Sequence, residues 1–228
     1  MDKTALAPSA RPDTRPPERI SDRSLGRHWS YNLRNDPKRL PFVLARYKFA
    51  ASLASRGKRV LELGCSEGIG CPLLAHEAKS YVGVDFDEPA IATAQENWAD
   101  PRHSFVQADF LGQSFGCFDT VVSLDVIEHI HVDYEDLFFD TVTRNLDEDG
   151  VCIVGTPNVT SAAYASEASQ RGHINLYDAD RLAGAMQKVF HNVLRFGIND
   201  EVAHTGYAPM CHYLIQVGCY KRTAGRAS

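Results

Sequence analysis

No part of the sequence approaches the length of apolar residues that spans a membrane. A transmembrane helix needs about 20 consecutive, mostly apolar residues, and charged residues interrupt every apolar run of this chain well before that length. The first residues, MDKTALAPSARPDTRPPERISDRS, also lack the apolar stretch of a secretory signal. We therefore expect a cytoplasmic protein without a membrane partner.

The cysteine spacing of a zinc site is also missing. None of the six cysteines forms a CxxC pair, and most of them lie inside apolar runs. They are Cys65, Cys71, Cys117, Cys152, Cys211 and Cys219. Because free cysteine is among the most buried residue types, we expect reduced core thiols rather than disulfides or zinc ligands.

An excess of positive charge is absent as well. The net charge of -5 argues against a general affinity for nucleic acid. The charge is uneven, however, because residues 1–59 contain fourteen Lys and Arg against five acidic residues, and the remainder contains ten against twenty-four. The basic part could guide an anionic substrate, but residues 1–25 contain four prolines and few apolar groups. We expect them to form a disordered N-terminal tail.

What the sequence does contain is an alternation of strand-like and helix-like segments. The 228 residues are 44% apolar, enough for one substantial core. Strand-like runs occur at 59–63, 81–85, 104–107, 120–124 and 151–155, with helix-like segments at 72–78, 89–98 and 134–145. This alternation predicts an α/β fold, Rossmann-like and doubly wound, in which helices cover both faces of a mostly parallel sheet.

Two further regions flank this alternating part. Before it, DPKRLPFVLARYKFAASLASRG predicts a helix that ends near Gly57. Its apolar residues at near-helical spacing are Phe42, Leu44, Ala45, Phe49 and Leu53. After it, residues 156–178 read as an irregular insertion, ADRLAGAMQKVF predicts a helix, and FGIND and MCHYLIQVGCY predict two closing strands. We therefore expect a helical lid over 26–57 and a main domain over 58–222.

A glycine-rich turn follows the first strand in VLELGCSEGIG, residues 60–70. Parallel sheets bind ligands beyond the carboxyl ends of their strands, and this turn is a frequent location. The spacing is Glu62-x-Gly64-x-x-x-Gly68-x-Gly70, which differs from the GxGxxG turn that holds a pyrophosphate. Since Glu62 would repel a pyrophosphate, the turn favours a ligand with cationic groups.

Two more acidic residues support this interpretation. Asp85 ends the second strand, where a carboxylate can accept hydrogen bonds from both hydroxyls of a ribose. Asp109 lies just past the third strand and could accept a hydrogen bond from an adenine amino group. Phe86 offers an apolar face to the same ring.

These motifs together resemble those of the class I S-adenosylmethionine-dependent methyltransferases, over residues 58–155. The segment KRVLELGCSEGIG resembles the family's glycine motif, VGVDFDEPAIATAQEN the ribose motif, FVQADF the adenine motif, and FDTVVSLDVIEHI the fourth motif. The resemblance implies a seven-stranded sheet with a terminal antiparallel hairpin. It also implies S-adenosyl-L-methionine as the cofactor, bound by Glu62, Gly64, Cys65, Gly68, Gly70, Asp85, Phe86, Asp109, Phe110 and Leu124.

Methyl transfer to a hydroxyl group requires a base with a pKa near neutrality, which makes histidines the first candidates. His129 follows the fourth strand, where the family places residues that face the transferred methyl group. His173 lies in the insertion, a region that commonly caps the acceptor pocket in relatives. Both are assigned as candidate catalytic residues.

Further residues are expected to bind the acceptor. Glu128 could orient the imidazole of His129, and Asp125 and Asn158 could come close together. The remaining candidates are His204, from the loop before the last strand, and Trp29 and Tyr31, from the lid. No metal ligands are assigned, although metal-assisted transfer stays open as a minority alternative.

The sequence as a whole predicts a methyltransferase that acts on a small molecule, at a hydroxyl of a sugar, a nucleotide-linked compound or another metabolite. Methylation at nitrogen or carbon of a quinone or secondary metabolite is an alternative. Two rivals are a nicotinamide oxidoreductase and a partner protein that binds the cofactor without catalysis. A homodimer is left open.

Overall fold

The computed structural model describes residues 23–222, so most of the predicted tail lies outside the described residues. Two helices precede the sheet, α1 (Gly26–Asn35) and α2 (Arg39–Ala54). The helix predicted before Gly57 is therefore present as α2, three residues short of that glycine. None of the helices within residues 23–222 combines the length and the apolar character that crossing a membrane requires.

The residues that α2 buries are not the apolar residues whose spacing predicts the helix. The residues that it buries are Val43, Tyr47, Ala50 and Ala54, whereas Leu53 is about half exposed. Because α2 carries apolar residues around most of its circumference, the spacing alone does not determine which side packs on the sheet.

The sheet has eight strands rather than seven. They are β1 (Arg59–Leu63), β2 (Ser80–Asp85), β3 (His103–Gln107), β4 (Phe118–Leu124), β5 (Leu146–Pro157), β6 (Phe190–Asn199), β7 (Val202–His204) and β8 (Tyr213–Lys221). Their order is β3-β2-β1-β4-β5-β8-β6-β7. The first five strands in this order are parallel, and β8, β6 and β7 pair antiparallel. The predicted α/β fold with a terminal antiparallel hairpin is confirmed, and the extra strand is the short edge strand β7.

Helices cover both faces of the sheet. Those that follow β1 are α3 (Cys71–Leu74), α4 (Glu88–Trp98), α5 (Glu135–Asn145), α6 (Glu167–Gly172) and α7 (Ala179–Gln187). Side chains of α1 to α4 share one core with alternate strand residues such as Val60, and side chains of α5 and α7 share the other core with Leu61 and Leu63. Two buried faces explain why the strands read as nearly continuous apolar runs.

Several boundaries differ from the sequence prediction. Helix α3 is shorter than the predicted segment 72–78, because the chain turns back to pair with the start of β1, where Lys79 N–H donates to the Lys58 carbonyl at 2.8 Å. The insertion over 156–178 is not wholly irregular, since it contains a 3₁₀ turn (Val159–Tyr164) and α6. Strand β6 begins at Phe190, well before the predicted FGIND segment.

The strand order places β1 and β4 side by side, and the order in which the chain adds strands to the sheet reverses there, although the strands stay parallel. The carboxyl ends of β1, β2 and β4 consequently meet at one edge, with the loops that follow them. Such a crevice is where open parallel sheets bind their ligands.

Candidate cofactor and acceptor site

A cavity of about 560 Å³ lies at this edge of the sheet. It is bounded by the N-terminal helices, by the turn after β1 and by the segments after β2, β3 and β4. Its lining residues are His28, Trp29, Arg39, Val43, Tyr47, Gly64, Cys65, Ser66, Ile69, Asp85, Phe86, Asp87, Asp109, Phe110, Leu111, Leu124, Asp125, Val126, His129 and Ile130. The cavity therefore combines acidic groups, apolar surfaces and two exposed histidines, His28 and His129.

Gly64 is required where the chain leaves β1. Its φ is +82°, and a Cβ there would lie 2.3 Å from Cγ2 of Val126. The N–H groups of Gly64 and Cys65 both donate to the carbonyl of Val84, at 2.8 and 3.1 Å. The turn is thus held against β2 and presents bare backbone to the cavity.

The other two glycines of the motif serve packing in this structure. Gly68 and Gly70 do not line the cavity. A Cβ on Gly68 would lie 2.9 Å from Cδ1 of Trp98, and one on Gly70 would lie 2.2 Å from Cε1 of Tyr47. The two positions thus allow α4 and α2 to approach the turn closely.

Asp85 is fixed at the end of β2. One carboxylate oxygen accepts from the N–H of Ser66 at 2.8 Å and the other from the N–H of Asp87 at 3.0 Å. Each oxygen keeps a further lone pair, so the carboxylate can still accept from a diol in the cavity. The ribose role that the sequence predicts for Asp85 stays a prediction.

The predicted adenine residues surround one end of the cavity. Phe110 is buried and Phe86 is 72% exposed. Asp109, after β3, accepts from the N–H of Leu111 at 3.2 Å. Leu124 lies across from them at the end of β4. The cavity brings all four residues together.

Glu62 lies beneath the cavity rather than in its wall. The side chain is fully buried, the hydroxyl of Tyr81 donates to one of its oxygens, and the other oxygen, Oε1, has no hydrogen-bond partner within residues 23–222. Burial raises the pKa of Glu62 to about 7, against the opposing effect of the hydrogen bond from Tyr81. The predicted direct contact of this acid with the cofactor therefore has no support in the cavity lining.

At the end of β4 an ion pair joins the lid to the sheet. Nη1 of Arg46, on α2, lies 2.8 Å from both carboxylate oxygens of Asp125. The guanidinium group also stacks 3.6 Å from the ring centroid of Tyr213. Sequence reasoning missed Arg46, and the available signal was an arginine in the largely apolar stretch FVLARYKF.

The two candidate catalytic histidines lie against each other. The ring centroids of His129 and His173 are 5.0 Å apart, and the rings are nearly perpendicular. Nδ1 of His129 lies 2.9 Å from the carbonyl oxygen of Gly172. Because a carbonyl only accepts, Nδ1 carries the proton in neutral His129, and the lone pair is left on Nε2. Burial, and then the neighbouring His129, lower the pKa of His173.

Glu128 lies beside this histidine pair and is fully buried. The hydroxyl of Thr156 donates to Oε2 of Glu128 at 2.9 Å, whereas Oε1 has no partner within residues 23–222. Burial, and then the charge of Asp125, raise the pKa of Glu128 to about 8. The carboxyl group does not line the cavity directly.

Besides Glu128, three predicted acceptor residues do not line this cavity. Asn158 is buried, and its amide donates to the carbonyls of Ala208 and Cys211 at 2.9 and 2.8 Å. His204 belongs to β7, and four strand spacings of about 4.8 Å separate that edge from β4. Tyr31 is 68% exposed and borders a neighbouring depression. Trp29, by contrast, is buried and lines the cavity.

Comparison with known proteins identifies the family. A family profile described as "Methyltransferase domain" matches residues 23–192, about three quarters of the chain. The chain belongs to this family. The predicted resemblance to class I S-adenosylmethionine-dependent methyltransferases is thereby confirmed, and S-adenosylmethionine is the cofactor of this family.

Individual relatives agree with this result. A probable S-adenosylmethionine-dependent methyltransferase of Mycolicibacterium smegmatis is 36% identical over 104 residues, 45% of this chain and 39% of the relative. A ubiquinone biosynthesis O-methyltransferase of Maricaulis maris is 33% identical over 115 residues, 48% of this chain and 44% of the relative. The chain thus spans less than half the length of these curated relatives.

A solved structure shows the same fold. The DhpI–SAH complex has a TM-score of 0.64 and is 17% identical in sequence, and the match covers 87% of this chain and 92% of that one. At this identity the likeness concerns the fold alone.

The residues of the cavity fit the family's cofactor. Gly64 provides backbone that no side chain can cover, Asp85 provides a fixed carboxylate for a diol, and Phe110 and Leu124 provide apolar walls. Asp85, Asp87 and Asp109 make the lining acidic, which suits a ligand with a sulfonium and an ammonium group.

Proposed function

We propose that this chain transfers the methyl group of S-adenosylmethionine to a hydroxyl oxygen of a small metabolite, such as a sugar or a nucleotide-linked compound. The observation that carries the proposal is His129. It borders the cavity at the end of β4, and the Gly172 carbonyl fixes the tautomer that leaves Nε2 free to accept a proton.

The cofactor residues have separate roles in this proposal. Asp85 accepts from the ribose hydroxyls, and Asp109 and Phe110 border the adenine. The backbone at Gly64 and Cys65 approaches the amino-acid part, where no side chain intervenes. Glu62, Gly68 and Gly70 act from beneath, because they hold the turn in position rather than border the ligand.

The chemistry at the acceptor is a displacement. The bound cofactor supplies a methyl group on a sulfonium, which is already activated for transfer. His129 accepts the acceptor's hydroxyl proton at Nε2 as the oxygen–methyl bond forms and the sulfur–methyl bond breaks. The lowered pKa of His173 keeps this neighbour neutral, so that it does not add a positive charge beside His129.

The lid over 26–57 and the insertion over 156–178 complete the site in this proposal. Glu67, in the glycine turn, accepts from the N–H groups of His28 and Trp29 at 2.8 and 3.1 Å, which ties α1 to the turn. The insertion contributes His173 and the Gly172 carbonyl. An enclosed cavity excludes water from the reacting groups.

The Maricaulis maris relative supports an oxygen acceptor, since its name describes an O-methyltransferase. The support is limited to the shared half of the chain. It does not extend to a quinone as the substrate.

Binding and turnover test the proposal separately. Calorimetry with S-adenosylmethionine should show binding, and titration with a nicotinamide dinucleotide should show none. Asp85→Ala should weaken cofactor binding at least about tenfold, because a charge-assisted hydrogen bond contributes about 1.5–3 kcal/mol. Equal affinity in that variant would contradict the cofactor assignment.

Turnover is then measured with a labelled methyl donor and matched hydroxyl and amine acceptors. His129→Ala should leave cofactor affinity within about twofold and slow transfer about 100-fold or more. Asp133→Ala, a change at an exposed acid nearby, serves as the control. Transfer to amines alone, or full activity of His129→Ala, would refute the proposed acceptor and base.

A further inference from the structure

Three potential metal ligands meet beside the cavity. One ligand atom from each of Glu128, His129 and His173 lies within 4.8 Å of the others. Two of the three come from the 3₁₀ turn after β4, and the third follows α6 in the insertion. Residues so far apart in the chain converge because Asn175 N–H donates to the Glu128 carbonyl at 3.1 Å, which holds the insertion against the turn.

The unsatisfied oxygen of Glu128 points to a missing ligand. This side chain is fully buried, and its Oε1 has no hydrogen-bond partner within the described part of the chain. A buried carboxylate oxygen without a partner costs free energy in either protonation state, since both an acceptor and a hydroxyl donor would be left unpaired. A cation coordinated by Oε1 removes that cost.

The groups around the cluster hold its ligands in a suitable orientation. Metal-binding histidines commonly donate their second ring N–H to a carbonyl or a carboxylate. Nδ1 of His129 has such a partner in the Gly172 carbonyl, at 2.9 Å, which leaves Nε2 for a metal. Similarly, Thr156 donates to Oε2 of Glu128 and leaves Oε1 available.

We propose that Glu128, His129 and His173 bind one divalent transition-metal ion, of which Zn²⁺ is the representative. Two imidazoles and one carboxylate are a donor set for Zn²⁺ and its first-row neighbours, whereas Mg²⁺ and Ca²⁺ prefer oxygen ligands. Ligand atoms around tetrahedral Zn²⁺ are about 3.4 Å apart. The cluster must contract by up to about 1.4 Å, from 4.8 Å to about 3.4 Å, to reach that geometry, and His173, at the end of the short helix α6, is the ligand placed to move.

This inference goes beyond the proposed methyl transfer and does not depend on it. A metal on Nε2 of His129 would occupy the lone pair that the proposed base uses. The ion and the acceptor proton therefore compete for one nitrogen. Metal-free protein should keep the base, and metal-loaded protein should lose it or replace it with a coordinated acceptor oxygen.

The site is tested by metal binding to the full-length chain. The protein is first stripped of metal with a chelator and is then studied without cofactor or acceptor. Calorimetry should show one equivalent of Zn²⁺ per chain with micromolar or tighter affinity, and no binding of Mg²⁺ at the same concentrations. Co²⁺ should give visible ligand-field absorption typical of nitrogen and oxygen ligands. His129→Gln and His173→Gln should each weaken Zn²⁺ binding at least about tenfold.

His131→Gln is the matched control, because His131 is exposed, lies two residues from His129 and is outside the cluster. This variant should bind Zn²⁺ as the wild type does. Thermal unfolding with and without Zn²⁺ checks that each variant is folded, and Zn²⁺ should stabilise only the wild type and the control. Binding that is unchanged in His129→Gln and His173→Gln, thiolate absorption from Co²⁺, or no Zn²⁺ binding to folded protein would each overturn the proposal.

Activity measurements distinguish the proposed metal site from the proposed methyl transfer. If the chelated protein transfers methyl groups and Zn²⁺ binding fails, the methyltransferase assignment stands alone. If Zn²⁺ binds through the three residues and no acceptor is methylated, the metal site stands alone.

Discussion

At the scale of single residues, the glycine motif divides into two kinds of position. Gly64 borders the cavity with a left-handed backbone, whereas Gly68 and Gly70 are covered by Trp98 and Tyr47. The three glycines of the motif therefore do not all border the ligand cavity. Gly64 leaves space for the ligand, and Gly68 and Gly70 leave space for neighbouring helices.

Gly64→Ala should destabilise the protein by about 2–4 kcal/mol, because the added Cβ would clash with Val126 and the positive φ disfavours alanine. Urea unfolding measures the loss. The double variant Gly64→Ala/Val126→Ala should recover the stability that the clash with Val126 removes, but not the stability that the positive φ removes.

Gly184→Ala is the control for this series. Gly184 lies inside α7, and a Cβ there would have no neighbour within 4 Å. Alanine should therefore stabilise the helix by about 0.5–1 kcal/mol. Similar changes at both positions would contradict the account of Gly64.

Glu62 should make the stability of the protein depend on pH. Its pKa is about 7 in the folded state and 4.5 ordinarily, so folding favours the neutral form. The stability from this group is complete below pH 4.5 and is lost as the pH rises towards 7. The loss should amount to about 3 kcal/mol at most.

Urea unfolding between pH 4.5 and 8 checks this expectation. Glu62→Gln should reduce the loss of stability that occurs as the pH rises from 4.5 to 7. Glu128, whose pKa is raised to about 8, should leave a residual fall in the variant. An unchanged pH profile in Glu62→Gln would show that the carboxyl titrates normally in the fold.

At the scale of secondary structure, α2 connects the lid to the end of β4. Tyr47 covers Gly70, and Arg46 pairs with Asp125 while stacking on Tyr213. The lid is thus positioned by one partly buried ion pair, in addition to its apolar packing on the sheet. Its orientation affects the cavity, because Asp125 lines it.

Arg46→Met should destabilise the protein by about 1–3 kcal/mol, since it leaves Asp125 without its partner and removes the contact with the Tyr213 ring. The arginine side chain is only 12% exposed, whereas that of Asp125 is 34% exposed, which keeps the expected loss below that of a fully buried pair.

Arg56→Met tests the contrast in the same region. Arg56 pairs with Glu77 on the surface, with both side chains largely exposed, so its loss should cost less than about 0.5 kcal/mol.

A double-mutant cycle between Arg46→Met and Asp125→Asn, followed by chemical unfolding, measures the coupling energy between Arg46 and Asp125. No coupling would mean that the pair does not hold the lid.

At the scale of the whole molecule, cofactor binding should stiffen the lid and the turn together. Glu67 joins the turn to α1 through His28 and Trp29. Bound S-adenosylmethionine should therefore slow amide hydrogen exchange at least about fivefold in α1 and in residues 64–70. Strand β7, at the far edge of the sheet, serves as the internal control. Equal protection of β7 and α1 would indicate a global effect rather than closure of the lid.

Much of the fold could be read from the sequence because its signals are local. Alternating apolar strands and helices, a glycine turn after β1 and acids after β2 and β3 all lie within short segments. Parallel strands bring their carboxyl ends to one edge, so Asp85 and Asp109 could be expected to share a cavity before any tertiary contact was known.

Predictions were weaker where a residue's surroundings come from distant parts of the chain. The buried face of α2 could not be chosen by spacing, because the helix is apolar around most of its circumference. Asn158 and His204 were expected at the acceptor, but their neighbours come from the loop before β8 and from β6, respectively. Hydrogen bonding and strand order, not residue type, determine their positions.

The sequence by itself determined the class of fold, the family and the acids offered to the cofactor, since each depends on residue order within one segment. Only the tertiary structure decided that Arg46 reaches Asp125 across 79 positions and that His129 meets the Gly172 carbonyl across 43. Such contacts depend on how whole elements pack, because packing brings together groups that no local periodicity relates.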